Sequence, residues 1–411
     1  MRQMRDFDVI VVGGGPGGLA AAGAAARGGA RTVLFEQSAE IGTPTRTTGG
    51  SFIPDLVELG IPSRCYHPIH TCRFLAPSKS AMFRYPEPVA CVLDVHGTFQ
   101  FLAERAIVSG AQMRVATTVI EPLLRGGAVV GVRARDHRGL EFSAGAKIVI
   151  DATGYRCAML RKAGVDPGFR RFGVGAEYDL YAPHYEEGEA VLIVGSQIAP
   201  CGYAWAFPWG NKRVRVGVGI IHADSSAKPE DYLNPLVENA GRFGMNLEGA
   251  QPVEYHFGLI PSDGMAEQFV SDGIMSAGDA AGQPSALAGE GIRWAIKAGL
   301  MAGRIAGEAI ADGDVSRSGL SRYEKEWRRE YGSNLRIAAE INRRIAQWSD
   351  EKWDRRTELL NLLTPEQFAL GLRTEFLSGW VFQVLRSHPE LLREGVKGFV
   401  RKLSRSVSLS A

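Results

Sequence analysis

The fold of this chain is decided by the stretch Asp8-Val-Ile-Val-Val-Gly13-Gly14-Gly15-Pro16-Gly17-Gly18. Its apolar part predicts a buried strand from Asp8 to Val12, and the glycines separate that strand from a small-residue helix, about Gly17 to Arg27. A second apolar run, Arg31 to Glu36, follows at once and predicts another strand. Strand, glycine turn, helix and strand in this order are typical of a doubly wound α/β fold.

The same glycines, with an acid at the end of the second strand, predict a dinucleotide site. Gly13, Gly15 and Gly18 have GxGxxG spacing, and Glu36 closes the second strand. Glycines let the backbone approach a pyrophosphate, and the helix N-terminus supplies N–H donors. A carboxylate at Glu36 can accept hydrogen bonds from ribose hydroxyls. We therefore expect a dinucleotide at this turn.

Composition sets the frame for the rest of the chain. Its 411 residues exceed the length at which a single core stops growing, so at least two packed units are expected. The net charge of +2 gives no reason to expect a nucleic acid partner. Five scattered cysteines do not form a disulfide framework and favour the cytoplasm. No apolar run is long enough to span a bilayer.

Two later strand ends resemble further parts of an FAD site. They are Lys147-Ile-Val-Ile-Asp151-Ala-Thr-Gly154 and Gly273-Ile-Met-Ser-Ala-Gly278-Asp279-Ala-Ala-Gly282. In this order they resemble the internal and C-terminal fingerprints of FAD enzymes of the glutathione-reductase-like class, in which the aspartate at the position of Asp279 binds the ribityl chain. Gly291 then opens a predicted helix whose N-terminus would favour the negative charge of a reduced flavin. The alternative is that these segments only pack strands against helices.

An aromatic strand is predicted at Tyr203-Ala-Trp205-Ala-Phe207-Pro208. Successive side chains of a strand point to opposite faces, so the three aromatic residues share one face and the two alanines the other. We expect a strand of aromatic residues that ends at Pro208. The alternative is that the three rings are ordinary core residues.

These segments together resemble the geranylgeranyl reductase family, flavoproteins that saturate isoprenoid double bonds. The aromatic strand is similar to the family's YxWxFP motif, and Gly278-Asp-Ala-Ala-Gly with Gly289-Glu-Gly-Ile-Arg is similar to its flavin loop. The segment Glu40 to Gly50 resembles a loop that reads P-x-R-C-x-E-G in archaeal lipid reductases of the family. The resemblance runs from about residue 6 to about residue 310, and more loosely beyond.

The resemblance implies a cofactor, a reaction and a set of residues. Reduced FAD would transfer a hydride to one carbon of a double bond in a geranylgeranyl or other prenyl chain, and a proton would reach the other carbon. NAD(P)H or a carrier protein would reduce the flavin, because the chain has no second GxGxxG unit. The substrate would be a prenylated lipid or a prenyl diphosphate. FAD would be held by Gly13, Gly15, Gly18, Glu36, Arg46, Thr47, Thr48, Val119, Gly278, Asp279, Gly291 and Ile292, and the catalytic residues would be Tyr203, Trp205, Phe207 and Cys201.

The sequence departs from the family at three positions. Thr47 stands where the archaeal loop has a cysteine, so a thiol there cannot supply the proton, and Tyr203, Cys201 or ordered water remain as proton sources. Gly49 stands where that loop has a glutamate. Val95 stands where the family commonly has an arginine that reaches the cofactor, and either His96 or Gln100 replaces it or the contact is absent. The substrate itself is left open by these changes.

Two other functions remain open on the same residues. A flavin monooxygenase or halogenase would use the same fold, although the halogenase signature WxWxIP is absent. A prenyl-binding escort protein would use the flavin only structurally. Oxygen dependence of the product distinguishes the first of these from an alkene reductase.

The predicted domains are each formed from separate segments of the chain. A Rossmann-like FAD-binding domain of the glutathione-reductase/p-hydroxybenzoate-hydroxylase type would comprise residues 1–70, 95–165 and 265–315, and an antiparallel-sheet substrate domain residues 71–94 and 166–264. Gly126-Gly127 would turn a small antiparallel ribbon inserted in the first domain. Residues 316–411 would be helical.

Two smaller patterns have competing interpretations. The helix predicted at Pro389 to Leu403 has an apolar face and a basic one, so it is either docked on the protein or laid peripherally on the anionic inner face of the membrane. Cys65, His67, His70 and Cys72 carry metal-binding atoms, but their spacing matches no common site, and no metal is expected.

Overall fold

The computed structural model of the protein describes residues 2–3, 6–165 and 168–376. Its strands are β1 (Arg2–Gln3), β2 (Phe7–Val12), β3 (Thr32–Phe35), β4 (Gly50–Phe52), β5 (Tyr66–Ile69), β6 (Thr71–Leu75), β7 (Ser80–Arg84), β8 (Ala90–Leu93), β9 (Gln112–Arg114), β10 (Thr118–Arg125), β11 (Ala128–Arg135), β12 (Glu141–Asp151), β13 (Phe172–Tyr181), β14 (Glu189–Ile193), β15 (Gly202–Gly210), β16 (Arg213–His222), β17 (Gln251–Pro261), β18 (Val270–Ser271) and β19 (Ile274–Ser276). Its helices are α1 (Pro16–Arg27), α2 (Ile53–Glu58), α3 (Val95–Val108), α4 (Ala158–Lys162), α5 (Glu230–Glu238), α6 (Ile292–Asp312), α7 (Arg317–Glu330), α8 (Gly332–Ile345), α9 (Asp350–Leu360) and α10 (Pro365–Leu372).

The first sheet has nine strands and contains the predicted strand–helix–strand unit. β2 lies between β12 and β3 and is parallel to both, while the β10–β11 ribbon adds antiparallel to the first half of β12. Asp151 at the end of β12 pairs with Val12 on one side and with Ser276 of β19 on the other. The three strands that carry the dinucleotide motifs therefore end side by side, and the predicted fold class is confirmed.

Helices α1 and α6 pack on this sheet with their backbones in contact. A Cβ added to Gly299 would lie 2.1 Å from the carbonyl oxygen of Gly17, and one added to Gly303 would lie 2.3 Å from that of Ala21. Larger side chains would separate the helices, so the small residues at these positions are required by the packing. This pair fixes the start of α6 beside the glycine turn.

The second sheet has seven strands in the order β17-β13-β16-β15-β14-β6-β7. Its pairs are antiparallel except β14 with β6, which is parallel, so the prediction of a wholly antiparallel sheet is wrong at that pair. The two strands lie more than a hundred residues apart, and no hairpin turn fixes their relative direction. A third, three-stranded sheet, β4-β8-β5, contains residues 90–93, whereas β6 and β7 of the same predicted domain segment join the second sheet. The domain boundaries stay a prediction.

Several predicted element ends differ from the structure. β15 continues past Pro208 to Gly210, and the turn is made by Asn211 and Lys212, whose φ angles are 54° and 58°. Because a two-residue hairpin turn of this kind needs positive φ at both positions, the reversal comes after the proline. α3 begins at Val95, since the Asp94 side chain accepts a hydrogen bond from the Gly97 N–H at 2.9 Å and caps the helix there.

The C-terminal region is helical as far as it is described. It begins with two consecutive helices, α7 and α8, with Tyr331 between them. The Tyr331 ring packs on Trp294 and Trp327, with centroids 5.5 and 4.6 Å away, and this packing sets the break. The helix predicted at Pro389 to Leu403 lies outside the described residues. Within the described ranges, no helix has both the length and the apolar composition needed to cross a membrane.

Candidate active site

One cavity of about 1580 Å³ lies between the three sheets and the C-terminal helices. Ligand pockets usually measure roughly 300 to 1,000 Å³, so this one has room for a cofactor and a second molecule. We call the region at the strand ends of the first sheet the polar part. We call the region between β6, β14 and the C-terminal helices α9 and α10 the apolar part.

The polar part begins at the glycine turn. Gly13 has a φ of 109°, and a Cβ there would lie 2.3 Å from the Ala152 carbonyl oxygen, so only glycine fits. Glu36 faces the same space, where its carboxylate accepts hydrogen bonds from the N–H of Gly14 at 2.6 Å and from that of Ser38 at 2.7 Å. Val119 of β10 lines the wall nearby. A cradle of backbone N–H groups with a carboxylate beside it fits the pyrophosphate and ribose of FAD.

Gly18 is the one predicted FAD residue that does not line this cavity. A Cβ on Gly18 would lie 1.9 Å from the Gly13 carbonyl oxygen, so this glycine allows α1 to pack against the turn. Gly18 therefore has a packing role, and its contact with FAD stays a prediction. The other members of the set, including Gly13 and Gly15, line the cavity.

Asp279 and the start of α6 form the opposite wall of the polar part. Asp279 sits in a short 3-10 helix after β19, and burial raises the pKa of its carboxyl to about 7. A Cβ on Gly291 would lie 3.3 Å from an Asp279 carboxylate oxygen, which explains the glycine. Ile292 begins α6 at the cavity wall, so the positive end of the helix dipole is near this carboxyl. A half-buried carboxyl of this kind can form a hydrogen bond with a hydroxyl of a ribityl chain.

The loop of Arg46, Thr47 and Thr48 borders the cavity and is held from the second sheet. The Arg215 guanidinium donates to the Thr48 carbonyl at 2.6 Å and to the Leu93 carbonyl at 3.0 Å. A Cβ on Gly258 would lie 2.2 Å from the Arg46 carbonyl, so β17 packs directly on the loop backbone. The position of this loop is thus fixed by residues distant in sequence.

His96 and Gln100 do not replace the missing arginine. The His96 ring lies 2.9 Å from a carboxylate oxygen of Glu40, and the Gln100 amide donates to the Ile41 carbonyl at 2.8 Å. On α3 the cavity is lined by Val95 and Phe99, one turn apart, whereas His96 and Gln100 point to the 40–41 segment. The structure favours the alternative that this contact is absent, because the helix turns both side chains away from the cavity.

The predicted aromatic strand faces the cavity between its two parts. The rings of Tyr203, Trp205 and Phe207 line it, with centroid separations of 5.5 and 6.5 Å, and Ala204 and Ala206 are fully buried on the other face. The predicted alternation is confirmed. We call these three side chains the aromatic wall.

Tyr203 joins the aromatic wall to the loop before α6. Its hydroxyl donates to the Ala288 carbonyl at 2.5 Å. Burial raises the pKa of the phenol, and the nearby Glu177 and Glu290 carboxylates add to the effect. The Tyr203 proton is therefore engaged and weakly acidic.

Trp205 lies on a bed of glycines that sequence reasoning missed. A Cβ on Gly217 would lie 2.4 Å from indole Cζ2, and one on Gly219 3.1 Å from Cζ3. The indole N–H donates to the Glu177 carboxylate at 3.0 Å. Two glycines at period two in the strand after the aromatic motif were the available signal, because glycine within a strand often marks a close approach.

Cys201 lies at the beginning of the same strand. Its φ is 58°, and its thiol is 3.4 Å from the Asp224 carbonyl oxygen. Burial raises the pKa of this thiol, which therefore stays protonated near neutral pH. Cys201 borders the cavity as predicted.

The apolar part is closed by the C-terminal helices. Phe368 of α10 stacks on Phe83 of β7 with the ring centroids 3.9 Å apart. Asp350 and Asp354 of α9 accept hydrogen bonds from Ser196 and Ser78, which bind this helix to the edge of the second sheet. Side chains that line this part are Ile69, Phe74, Tyr85, Leu192, Trp348, Trp353, Leu359, Leu360, Leu363, Phe368 and Leu372. The helical region thus completes a pocket for an apolar ligand.

A buried ion network ties α6 to both α2 and α10, and it too was missed. Arg293, 1% exposed, donates to Glu290 at 2.8 Å, to Asp55 at 3.1 Å and to the Arg373 carbonyl at 2.8 Å. Burial alone would raise the pKa of Asp55, but Arg293, Lys297 and Arg373 hold it below its usual value. Asp55 lies 238 positions from Arg293, so no local pattern reveals this contact.

The cysteine and histidine cluster does not assemble into one site. Cys65 and Cys72 are buried in separate apolar clusters, and the His67 ring lies 2.7 Å from the Glu187 carbonyl oxygen. Among the described residues, the metal-binding atoms of Asp179, Glu254 and His256 do come within 4.8 Å of one another. The group belongs to a network of ion pairs, because the Asp179 carboxylate accepts from Arg213 at 2.9 Å, Arg215 at 3.2 Å and Trp209 at 3.1 Å.

Comparison with known proteins adds two family matches. A model of the FAD dependent oxidoreductases matches residues 8–173, and a model of the geranylgeranyl reductase catalytic domain matches residues 172–259. The first match covers the glycine turn, Glu36 and the end of β12. The second covers the aromatic strand and its glycine bed.

Similar sequences cover nearly the whole chain. Digeranylgeranylglycerophospholipid reductase 2 of Methanothermobacter thermautotrophicus is 31% identical over 395 residues, which are 94% of this chain and 98% of the relative. Digeranylgeranylglycerophospholipid reductase 1 of Methanopyrus kandleri is 34% identical over 339 residues, 82% of this chain and 90% of the relative.

Solved structures share the architecture. A geranylgeranyl bacteriochlorophyll reductase-like protein from Thermoplasma acidophilum superposes with a TM-score of 0.84 at 26% identity, covering 95% of this chain and 99% of the other. The myxobacterial chondrochloren halogenase CndH has a TM-score of 0.66 at 21% identity, covering 81% of this chain and 82% of the other, and so shares the fold alone.

Proposed function

This chain belongs to the geranylgeranyl reductase family, FAD-dependent oxidoreductases that act on carbon–carbon double bonds, and we propose that its substrate is a prenyl chain bound in the apolar part of the cavity. The observation that carries the proposal is the single cavity itself. It joins a dinucleotide cradle to an apolar pocket, and the aromatic wall lies between them. The named relatives, which act on prenylated lipids, support the same substrate class.

We assign the polar part to FAD. The cradle at Gly13 and Gly15 would receive the pyrophosphate, Glu36 the adenosine ribose, and Asp279 the ribityl chain. When bound and reduced, FAD supplies the hydride. Other residues assigned to the cofactor are Arg46, Thr47, Thr48, Val119, Gly278, Gly291 and Ile292.

The aromatic wall and the apolar part would position the substrate. An isolated double bond carries no carbonyl that polarises it, so the reaction depends on holding the bond close and in one orientation. The rings of Trp205 and Phe207 are rigid apolar surfaces for this purpose. Helices α9 and α10 would exclude water from the remainder of the bound prenyl group. A prenylated lipid or a prenyl diphosphate would place its polar head outside the apolar part.

The electron donor and the membrane contact are parts of the same proposal. NAD(P)H or a carrier protein would reduce the flavin, because the sequence has a single GxGxxG unit. The segment after residue 376 carries Leu391, Leu392 and Phe399 beside Arg393 and Lys397, a composition that suits peripheral contact with anionic lipid on the cytoplasmic face. It directly follows the helices that close the apolar part. Co-flotation of the full chain with anionic but not neutral vesicles would support this contact, and no flotation would argue against it.

The test of function is anaerobic. The FAD-loaded protein is reduced with dithionite and mixed with geranylgeranyl diphosphate or a digeranylgeranyl glycerophospholipid. We expect flavin reoxidation without oxygen, and lipid products that gain two hydrogens for each double bond reduced, as detected by mass spectrometry. Oxygen-dependent reoxidation with a hydroxylated or halogenated product would point to a monooxygenase or halogenase, and lipid binding without turnover to an escort protein.

A further inference from the structure

A continuous line of hydrogen bonds leads from the surface of the second sheet to the cavity. Glu254 has a side chain that is 55% exposed, and its carboxylate lies 2.7 Å from His256 Nε2. His256 is 4% exposed, and its Nδ1 lies 2.8 Å from a carboxylate oxygen of Glu177. Glu177 and His256 line the cavity, whereas Glu254 lies outside it. We call these three residues the carboxylate–histidine line.

The geometry requires this line to hold one proton that can move. A neutral imidazole has a single N–H, and its other nitrogen is only an acceptor. If both carboxylates were ionised and His256 neutral, one ring nitrogen would direct a lone pair at a carboxylate oxygen. With both carboxylates ionised, the two contacts are hydrogen bonds only when His256 is an imidazolium that donates to Glu177 and to Glu254.

The charges around His256 agree with this state. Burial alone would lower the pKa of His256, but the hydrogen bonds to Glu177 and Glu254 outweigh burial and raise it, against repulsion from Arg215. The bond to His256 lowers the pKa of Glu254, with Arg213 and Arg215 contributing. Asp179 is also near, but its oxygens accept from Arg213 and Arg215. The two hydrogen bonds thus favour the imidazolium form of His256.

At the cavity end, Glu177 is joined to two residues of the site. Its Oε2 accepts from the Thr48 hydroxyl at 2.6 Å and from the Trp205 indole N–H at 3.0 Å. A hydroxyl can accept a proton from one side while it donates on the other. Thr48 therefore offers a path from Glu177 into the cavity, beside the aromatic wall.

Tyr203 and Cys201, the two side chains that the sequence offered as proton sources, are poorly placed to supply a proton. The Tyr203 hydroxyl proton is held by the Ala288 carbonyl, and Cys201 lies against the Asp224 carbonyl. Neither has a line of hydrogen bonds to an exposed acid among those described. Thr47, in place of the family's cysteine, carries no acidic proton.

We propose that Glu254, His256 and Glu177 carry a proton from solvent to the cavity, where Glu177, directly or through the Thr48 hydroxyl, protonates the substrate. The inference rests on the proposed function. The π bond of the alkene breaks as one carbon gains the hydride supplied by the reduced cofactor and the other gains the proton. The proton that Glu177 gives up first passes to it from the His256 imidazolium, so Glu177 ends as the carboxylate it was at the start, and the neutral His256 takes a new proton from solvent by way of Glu254.

The test compares His256→Gln with His184→Gln, a matched change at an exposed histidine. Glutamine keeps polar contacts but cannot pass a proton. In single turnover with the pre-reduced protein, we expect His256→Gln to slow alkene reduction by about a hundredfold or more. The wild-type rate should fall as pH rises through the raised pKa of His256, and this fall should be absent in the variant. His184→Gln should match the wild type.

Two further measurements separate delivery of protons from structure. Glu254→Gln changes only the exposed end, so it should slow turnover beyond its control Glu238→Gln while the flavin content and melting temperature stay at wild-type values. In the FAD-free protein, nitrogen NMR should report His256 as an imidazolium near neutral pH. A neutral His256, or unchanged rates and pH profile in both variants, would overturn the proposal. Absence of alkene reduction by the wild type would instead overturn the proposed function.

Discussion

The polar and apolar parts of the cavity differ in whether backbone or side chains form their walls. The polar part is made of backbone, at the ends of three neighbouring strands, with glycines where any side chain would collide with another segment. The apolar part and the aromatic wall are made of side chains from β6, β14, β15, α9 and α10, which lie far apart in sequence.

This difference sets how each part should respond to substitution. A cradle of backbone has no side chain to lose, so it fails when an atom is added. A wall of side chains fails when its support moves or when a polar group loses its partner. The cofactor end should therefore be sensitive to a single methyl group, and the substrate end should respond in smaller steps.

The largest effect is expected from Gly13→Ala. The added Cβ would meet the Ala152 carbonyl at 2.3 Å in a backbone conformation with φ of 109°, so both the clash and the strain act against the fold. We expect a loss of about 3 kcal/mol in the free energy of unfolding, measured by urea denaturation of the FAD-free protein. The purified variant should also contain little FAD.

Gly15→Ala is the matched control for this prediction. A Cβ at Gly15 has no neighbour within 4 Å, so the FAD-free protein should unfold at the wild-type urea concentration. The same methyl group would project into the cradle and weaken FAD binding. If Gly15→Ala binds FAD as well as the wild type, the cofactor does not approach this turn.

The two parts also differ in how far apart in sequence their residues lie, and this distance decides what the sequence could predict. Gly13, Gly15 and Glu36 lie within about thirty residues and form one local pattern, so the fold class and the cofactor cradle were predictable. The alternation of the aromatic strand was also local. The packing role of Gly18 was not visible, because a glycine that contacts a ligand and one that allows packing look alike in sequence.

Contacts between distant residues could not be predicted in this way. The parallel pair β14–β6 and the link between Asp55 and Arg293 join segments with no shared pattern. His256 lies two residues from Glu254 in an ordinary strand, and its partner Glu177 is 79 residues away. Such a group becomes visible only when the sheet brings the strands together.

The second largest effect is expected at the glycine bed of Trp205. Gly217→Ala places a Cβ 2.4 Å from the indole and 2.6 Å from the Glu177 Cβ, so it should cost about 2 kcal/mol of unfolding free energy. Gly219→Ala, at 3.1 Å from the ring, should cost less than about 1 kcal/mol. FAD content should stay normal in both, while alkene turnover falls in the same order.

Gly241→Ala serves as the control, because a Cβ there has no neighbour within 4 Å. It should leave stability and turnover unchanged. Equal losses of unfolding free energy at Gly217 and Gly219 would mean that the indole does not rest on this strand. The position of Trp205 would then not depend on these two glycines.

The third largest effect is expected in the pH dependence of the unfolding free energy, through Asp279 in the polar part. Burial raises the pKa of Asp279 from 3.8 to about 7, so the folded protein binds a proton more tightly than the unfolded chain. This group therefore favours folding most at low pH, and its contribution is lost as pH rises toward 7. Asp279→Asn removes the loss, so above pH 7 the FAD-free variant should be more stable than the wild type by on the order of 1 kcal/mol.

Two measurements complete that prediction. The stability difference should shrink as the pH of the urea titration is lowered toward 4, because both side chains are then neutral. The variant should also bind FAD more weakly, since the amide is a poorer acceptor for a ribityl hydroxyl. A difference that does not depend on pH would show that Asp279 titrates normally in the folded protein.

The smallest effect is expected from Tyr203→Phe, which removes the hydrogen bond that joins the two parts of the cavity. The bond runs from the phenol to the Ala288 carbonyl just before α6, and its loss should cost about 1 kcal/mol of unfolding free energy. Tyr181→Phe, at a tyrosine 42% exposed on β13, should cost nothing measurable.

If the carboxylate–histidine line delivers the proton, Tyr203→Phe should lower single-turnover alkene reduction by less than about tenfold, through looser positioning alone. If Tyr203 itself were the acid, the loss should reach about a hundredfold or more, and the fall in rate at high pH should disappear from the residual activity, whereas it should persist if the proton comes from His256. The size of this one effect therefore decides whether the proton enters from the aromatic wall or from the buried imidazolium behind it.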